Sequence, residues 1–291
     1  MSQRFALRRA GLTLRAAIAD NSGRFHPVCP RRAADAFFTR AQSFLLPDRW
    51  SSDLLHAHLE RQCMKYVIDF APVTTIPVVG SSDVFPVNRI YCVGRNYAEH
   101  AREMGHDPDR EPPFFFMKPA NAIVLHGAVI PYPQATKDLH HEIEMVVALG
   151  KGGANIPVDK ALDHVWGYGV GLDMTRRDLQ GEAKKMGRPW EMGKAFDNSA
   201  PCTALLPASK IGHPAKGAIW LKVNGKTTQT GDLSEMIWNV PETISYLSGL
   251  ITLQAGDLIY SGTPAGVGPV KAGDKLEGHV DGVGDLMVTY K

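Results

Sequence analysis

The stretch His140–Leu149, HHEIEMVVAL, constrains this chain more than any other. Val146, Val147, Ala148 and Leu149 are apolar at every position, so a strand through them needs cover on both faces of its sheet. The same strand begins with Glu142 and Glu144. Strand side chains alternate, which puts both carboxylates on one face with Cβ atoms about 6–7 Å apart. On an open face such a pair is ordinarily just solvated. On a strand entering a buried sheet, unpaired carboxylates are costly to desolvate, and a hard cation that prefers oxygen ligands removes the difficulty.

A third ligand is expected from elsewhere. Val165–Asp173 reads as a second strand, with glycines at positions 167, 169 and 171 that leave one face bare for another backbone or a ligand. Asp173 ends it directly before a helix, so a helix-capping role is the alternative. Glu142, Glu144 and Asp173 together make an oxygen-only site suited to one Mg²⁺ or Mn²⁺ per subunit, with positions open for water and substrate.

The rest of the body, from Met64 onward, predicts an α+β, mainly β architecture. Tyr66, Ile68 and Phe70 alternate as an early strand, and Arg89–Val93 as another. Asn96–Gly105 reads as a short helix closed by glycine, Val158–His164 as a second, and Arg176–Met186 as a third, capped by Thr175 with Asp178 and stopped by Gly187 and Pro189. Ile219–Val223 and Lys226–Thr230 flank Asn224-Gly225, the signature of a hairpin with a type I′ turn. Pro241 and Gly249 bracket a fourth helix. Asp257–Ser261 and Leu286–Tyr290 complete the strands. Helices do not alternate regularly with strands, so no doubly wound βαβ pattern is expected.

Charge divides the chain. Residues 1–63 carry ten Arg, no Lys and five acidic residues, a local charge of +5, while residues 64–291 sum to −3. A body of that charge has no electrostatic footprint for nucleic acid. The arm 1–63 has three readings: a transit peptide, which its five acidic residues weaken, a partner-binding arm, or a start placed upstream of the true one at Met64. Two short helices, near 33–44 and 52–63, are plausible in any of them. The four cysteines lie far apart, which argues against a zinc ribbon or a disulfide framework and fits a cytoplasmic protein. No apolar run is long enough to span a membrane.

Other chemistries lack their motifs. There is no G-x-S-x-G elbow, no H-E-x-x-H and no phosphate-binding G-x-x-x-x-G-K-[ST]; Gly150-Lys-Gly-Gly reads as a plain turn, and the glycines of residues 262–268 are too irregular for a dinucleotide fingerprint. His100 and Glu103, three apart on a short helix, share a face. A carboxylate-oriented His is the usual general base near neutral pH, although an isolated H-x-x-E is more often a surface ion pair.

The blocks GRNYAEHAREMG, FFFMKPANAIV, DLHHEIEMVVALGKG, GYGVGLDMTRRDLQ and SGTPAGVGPV, in this order, resemble the fumarylacetoacetate hydrolase family from about Ile90 to Lys291. Within it the chain is most similar to fumarylpyruvate hydrolases and acylpyruvases. The resemblance implies a β-rich catalytic fold, a homodimer and a small-molecule 2,4-diketo acid as substrate, with no nucleic-acid or membrane partner. It implies Glu142, Glu144 and Asp173 as metal ligands, His100 and Glu103 as a dyad on a closing lid, and Lys194 near the reacting carbonyl. Arg177, Gln180 and Thr263 match substrate-contacting positions, and Arg95 and Lys118 supporting ones. Arg176 departs from relatives that carry a small residue there. The implied reaction cleaves fumarylpyruvate to fumarate and pyruvate. Arg176, Arg177, Lys184 and Arg188 are candidate partners for the distal carboxylate, with 177, 184 and 188 close to one face if the helix runs past Gly187; a solvated basic face is the alternative. An acylpyruvase or oxaloacetate decarboxylase, a 2-oxo-dienoate isomerase, a non-catalytic metal-binding or structural protein, and a nucleic-acid role through the basic arm are the competing readings.

Overall fold

The computed structural model describes residues 67–69, 71–99 and 111–291, and the account below concerns the compact unit Pro72–Lys291. The arm 1–63, its two short helices, His100 and Glu103 lie outside the described residues. The early strand is not seen where it can be: Val67 and Ile68 sit exposed in a bend.

Ile143–Leu149 and Val165–Leu172 form the long antiparallel pair at the centre of an eight-stranded sheet. Leu258–Tyr260 flanks Ile143–Leu149 and connects, in parallel, to Ile90–Gly94, which pairs with Phe114–Lys118. On the other side Ala200–Cys202 and Leu206–Pro207 pair with Val165–Leu172, and Ile123–Leu125 adds an outer strand. A second sheet of five strands runs in the order Lys226–Asp232, Ala218–Val223, Lys275–Val280, Gly284–Tyr290, Val129–Ile130.

All seven residues of Ile143–Leu149 are buried, as its unbroken apolar run demands. Its two faces go to different cores. Ile143, Met145, Val147 and Leu149 pack in a cluster that includes Ile219, Leu221, Leu276 and Val288 of the five-stranded sheet. Val146 and Ala148 pack instead with Ile90, Cys92, Leu258 and Tyr260. Glu142 and Glu144 have the parity of this second face.

Three expectations need correcting. His140–Leu149 is not one strand: the ladder is interrupted at Glu142, and Leu139–His141 belongs to a separate three-stranded sheet with Thr175–Arg176 and Gly268–Val270. Thr175 is consequently a strand residue and caps no helix. Helix α1 spans Arg177–Lys185 with no side-chain cap, and Thr175 gives its hydroxyl proton to the Asp173 carbonyl. Because α1 ends at Lys185, Arg188 falls beyond it on an exposed turn. Of the two neighbours expected beside the strand glycines, a backbone or a ligand, protein fills the space: a Cβ on Gly167 would lie 2.5 Å from the Leu206 carbonyl oxygen, and one on Gly171 2.6 Å from the Tyr260 ring.

The hairpin forms as its text requires, with Asn224 and Gly225 both at positive φ (51° and 79°) between Ala218–Val223 and Lys226–Asp232. The Val158–His164 helix is a 3-10 helix, and Val240–Leu250, capped by Asn239, is the longest helix among the described residues. None of the described helices is long and apolar enough to cross a membrane.

Candidate metal centre and substrate pocket

The antiparallel register builds the acidic centre directly. Ile143 faces Leu172 and Glu144 faces Gly171, so the next pair outward is Glu142 with Asp173, joined by the Asp173 N–H donating to the Glu142 carbonyl at 2.9 Å. Opposed residues of an antiparallel pair project to the same face. Glu142, Glu144 and Asp173 therefore converge: each offers a carboxylate oxygen within 4.8 Å of the others, and all three are buried. Gly171, opposite Glu144, has no side chain, and the Tyr260 ring and Val146 fill the space a Cβ there would take.

Three cations surround these carboxylates. Lys194, at the end of the short helix α2 (Glu191–Lys194), donates to Glu142 Oε2 at 2.7 Å, Asp173 Oδ2 at 2.7 Å and Thr175 Oγ1 at 2.6 Å. Burial alone lowers its pKa, but the Asp173 and Glu142 charges outweigh this and raise it, so Lys194 is held protonated. Lys118, at the end of its strand, ion-pairs with Asp173 Oδ1 at 2.9 Å while donating to the backbone carbonyls of Met174 and Lys194. Arg177, the first residue of α1, donates to Glu142 Oε1 at 2.5 Å and to Gln180 Oε1 at 2.7 Å.

Formal charge thus balances, but unevenly. Among the described residues Glu144 receives only the Gly262 N–H, at 2.9 Å on Oε2. Burial first, then the Asp173 and Glu142 charges, pushes its carboxyl well above the usual range. Asp173 Oδ1, though ion-paired, accepts no hydrogen bond. A buried, oxygen-only set in which Glu144 and Asp173 Oδ1 have so few donors fits a hard divalent cation.

Gly262 is placed by its neighbours. It sits at φ +96°, and a Cβ there would lie 2.5 Å from Asn96 Cβ. Asn96, itself buried, donates from Nδ2 to the carbonyls of Trp238 and Ser261 and accepts from the Trp238 N–H on Oδ1.

Thr263 follows Gly262 and is oriented from behind by Gln229, which sequence reasoning missed. Gln229 Oε1 accepts from the Ile143 N–H at 3.1 Å, and Nε2 donates to the Pro264 carbonyl at 2.8 Å, which fixes the amide's orientation. Nε2 also donates to Thr263 Oγ1 at 2.8 Å, and His141 Nδ1 lies 2.9 Å from Gln229 Oε1, so His141 carries its proton on Nδ1. With one lone pair of Thr263 taken by Gln229, its own hydroxyl proton is free for an acceptor in the pocket.

Glu142, Glu144, Asp173, Lys194, Arg177, Gln180 and Thr263 all line one pocket, so seven of the nine anticipated site residues are brought together. His100 and Glu103 are outside the described residues. The wall includes Phe114, Phe116 and Trp190, with Arg95 and Lys184 beside them. These aromatics carried no spacing signal, since they come from two segments that meet only in the fold. Of the four basic residues considered for a distal carboxylate, Arg177 and Lys184 line the pocket. Arg176 does not: its guanidinium stacks on Phe196, 4.3 Å from the ring centre.

Known proteins resemble this chain in sequence and in fold. The family model described as "Fumarylacetoacetate (FAA) hydrolase C-terminal" matches residues 89–290. The crystal structure of fumarylpyruvate hydrolase from Pseudomonas aeruginosa, in complex with Mn²⁺ and pyruvate, is 53% identical, covers 78% of this chain and 99% of its own, and superposes with a TM-score of 0.76. The mitochondrial oxaloacetate tautomerase of mouse is 48% identical over 202 residues, 69% of this chain and 91% of that protein. The 5-carboxymethyl-2-hydroxymuconate delta-isomerase of Mycobacterium smegmatis is 30% identical, with a TM-score of 0.63 over 75% of this chain and 82% of its own. The chain belongs to the fumarylacetoacetate hydrolase family.

Proposed function

We propose that this protein is a metal-dependent hydrolase that cleaves a carbon–carbon bond in a 2,4-diketo acid, with fumarylpyruvate as substrate and fumarate and pyruvate as products. The observation that carries the reading is the convergence of Glu142, Glu144 and Asp173 in a buried, oxygen-only cluster that lines the pocket. Support for the metal and for the pyruvoyl end comes from the relative of P. aeruginosa, whose crystals hold Mn²⁺ and pyruvate.

Glu142, Glu144 and Asp173 would hold one Mg²⁺ or Mn²⁺, which supplies Lewis-acid polarisation to the 2-oxo acid end of the substrate. Arg177 and the Thr263 hydroxyl would bind the substrate carboxylate, with Gln180, which accepts from Arg177 Nη1, orienting the Arg177 fork. Water adds to the distal carbonyl, the bond between that carbon and the pyruvoyl methylene breaks, and the methylene carbon keeps the electron pair and takes a proton. His100, oriented by Glu103, is the proposed base that takes the water proton. Lys194 keeps a positive charge beside this chemistry; its three ammonium protons are engaged, so it stabilises the oxyanion by trading one bond for the substrate oxygen. The functional unit is proposed to be a homodimer, checked by light scattering.

A second reading follows from the curated relatives: tautomerisation of oxaloacetate, which needs proton transfer without an attacking water. One experiment separates the two. With Mg²⁺ or Mn²⁺ supplied, the protein should release pyruvate from fumarylpyruvate, and chelator or Glu144→Ala should abolish metal binding by calorimetry and lower turnover by about 10³ or more. Near-normal cleavage under chelation would overturn the metal reading. Keto–enol interconversion of oxaloacetate that outpaces every acylpyruvate cleavage would favour the tautomerase.

A further inference from the structure

Every cation around the acidic floor has a carboxylate: Arg177 and Lys194 are paired with Glu142, and Lys118 and Lys194 with Asp173. Two further cations line the same pocket and have none. Among the described residues Arg95 and Lys184 make no ion pair, although both are half-buried. Each lies over an aromatic wall, the Arg95 guanidinium 5.1 Å from the Phe114 ring centre and the Lys184 ammonium 5.0 Å from that of Trp190. Phe114 and Trp190 meet edge to face with centres 5.3 Å apart, so the two cation-bearing rings form one surface.

Cation–π contact explains where each side chain rests, but at about 0.5–1 kcal/mol for an exposed pair it does not explain two like charges brought to one partly desolvated cleft. Their repulsion is real: burial, then the charges of Arg177 and Arg95, lowers the Lys184 pKa to about 8. The backbone also holds Arg95 in place at some cost. It sits at φ +56°, unusual outside glycine, between Gly94, packed under the Phe114 ring, and the fully hydrogen-bonded Asn96. A strained residue that presents an unpaired charge to a pocket is organised for a ligand.

We infer that Arg95 and Lys184, over the Phe114–Trp190 wall, form a subsite for a second carboxylate, so that the pocket takes dicarboxylic substrates with a flat chain between their acid groups. This rests on the proposed function only for the identity of the reaction; the subsite itself follows from the unpaired cations. Charge at the distal end then sets specificity, and a neutral acyl group forfeits both contacts.

The test uses the full chain with Mn²⁺ and the variants Lys184→Met, Lys184→Arg and Arg95→Gln, each first checked for an unchanged melting transition. Calorimetric titration with fumarate reads the subsite without turnover. Lys184→Met and Arg95→Gln should each weaken fumarate binding about tenfold to a hundredfold, the scale of a lost hydrogen bond to a charged group, and Lys184→Arg should restore most of it. The ratio of kcat/KM for fumarylpyruvate over acetylpyruvate should fall by at least about tenfold in the same two variants. Fumarate binding that is unaltered in Lys184→Met overturns the subsite, whatever the enzyme cleaves. Loss of fumarate binding with no acylpyruvate cleaved by the wild type leaves the subsite standing and overturns only the reaction. Should Arg95→Gln fail to fold, the Lys184 pair alone decides.

Discussion

At the scale of single residues, the site combines groups that act and groups that aim them. Gln229 belongs to the second kind: both ends of its amide are committed, and one outcome is a Thr263 hydroxyl left to donate into the pocket. Gln229→Glu replaces the donating Nε2 with an acceptor, so Thr263 should turn its proton toward the carboxylate and away from substrate. KM should rise about tenfold, the size of one lost hydrogen bond to a charged group, with kcat less affected. In Thr263→Val the same Gln229 change should add little, because the two residues act as a unit; full additivity in this cycle would show that Gln229 matters only for folding. Lys184 gives a pH signature. It faces Arg177, Arg95, Glu142 and Lys194, and with its pKa lowered to about 8 it is charged below that pH and neutral above it. Because kcat/KM reports the free enzyme, its value for fumarylpyruvate should decline as pH rises through about 8, and the decline should be missing in Lys184→Met. A profile that is the same in both would remove Lys184 from substrate recognition.

At the scale of elements, the central strand pair does two jobs with one register. Its odd positions and Val146 and Ala148 fill two cores, while the pair Glu142–Asp173 and Glu144, just at its open end, form the acidic cluster. The glycines opposite make room. Gly167→Ala would place a methyl 2.5 Å from the Leu206 carbonyl oxygen, a backbone atom that cannot rotate away. The strand Leu206–Pro207 would have to shift, and overpacking of this kind costs about 1–3 kcal/mol. A melting transition lowered by several degrees is expected from thermal denaturation, with metal affinity retained, since Gly167 is far along the strand from the ligands. An unshifted transition would mean that the outer strand yields easily.

At the scale of the whole molecule, the matched family region and the described sheets lie within Pro72–Lys291, and among the described residues those that line the pocket start at Val93. We propose that a chain starting at Met64 folds and keeps its cleavage rate. Circular dichroism and an assay against the full chain check this; a large loss of soluble protein or rate would assign residues 1–63 a structural role.

Local text determined a good deal of this protein. Two-sided apolar patterning gave the central strand, its E-x-E opening gave two carboxylates on one face, and the Asn224-Gly225 turn gave a hairpin, because each depends only on the alternation or dihedral preferences of adjacent residues. Asp173 was legible only as the end of a glycine-spaced strand directly before a helix, with a capping role left open; the register that sets it opposite Glu142 is a tertiary fact. What tertiary structure decided are the things no local period encodes. The break at Glu142 and the recruitment of Thr175 into a strand arise because Leu139–His141 finds different hydrogen-bonding partners from Ile143–Leu149. The orienting role of Gln229 and the cationic mouth of Arg95, Lys184, Phe114 and Trp190 join segments far apart in the chain. Periodicity states which face a side chain occupies; only packing states which distant segment it meets there.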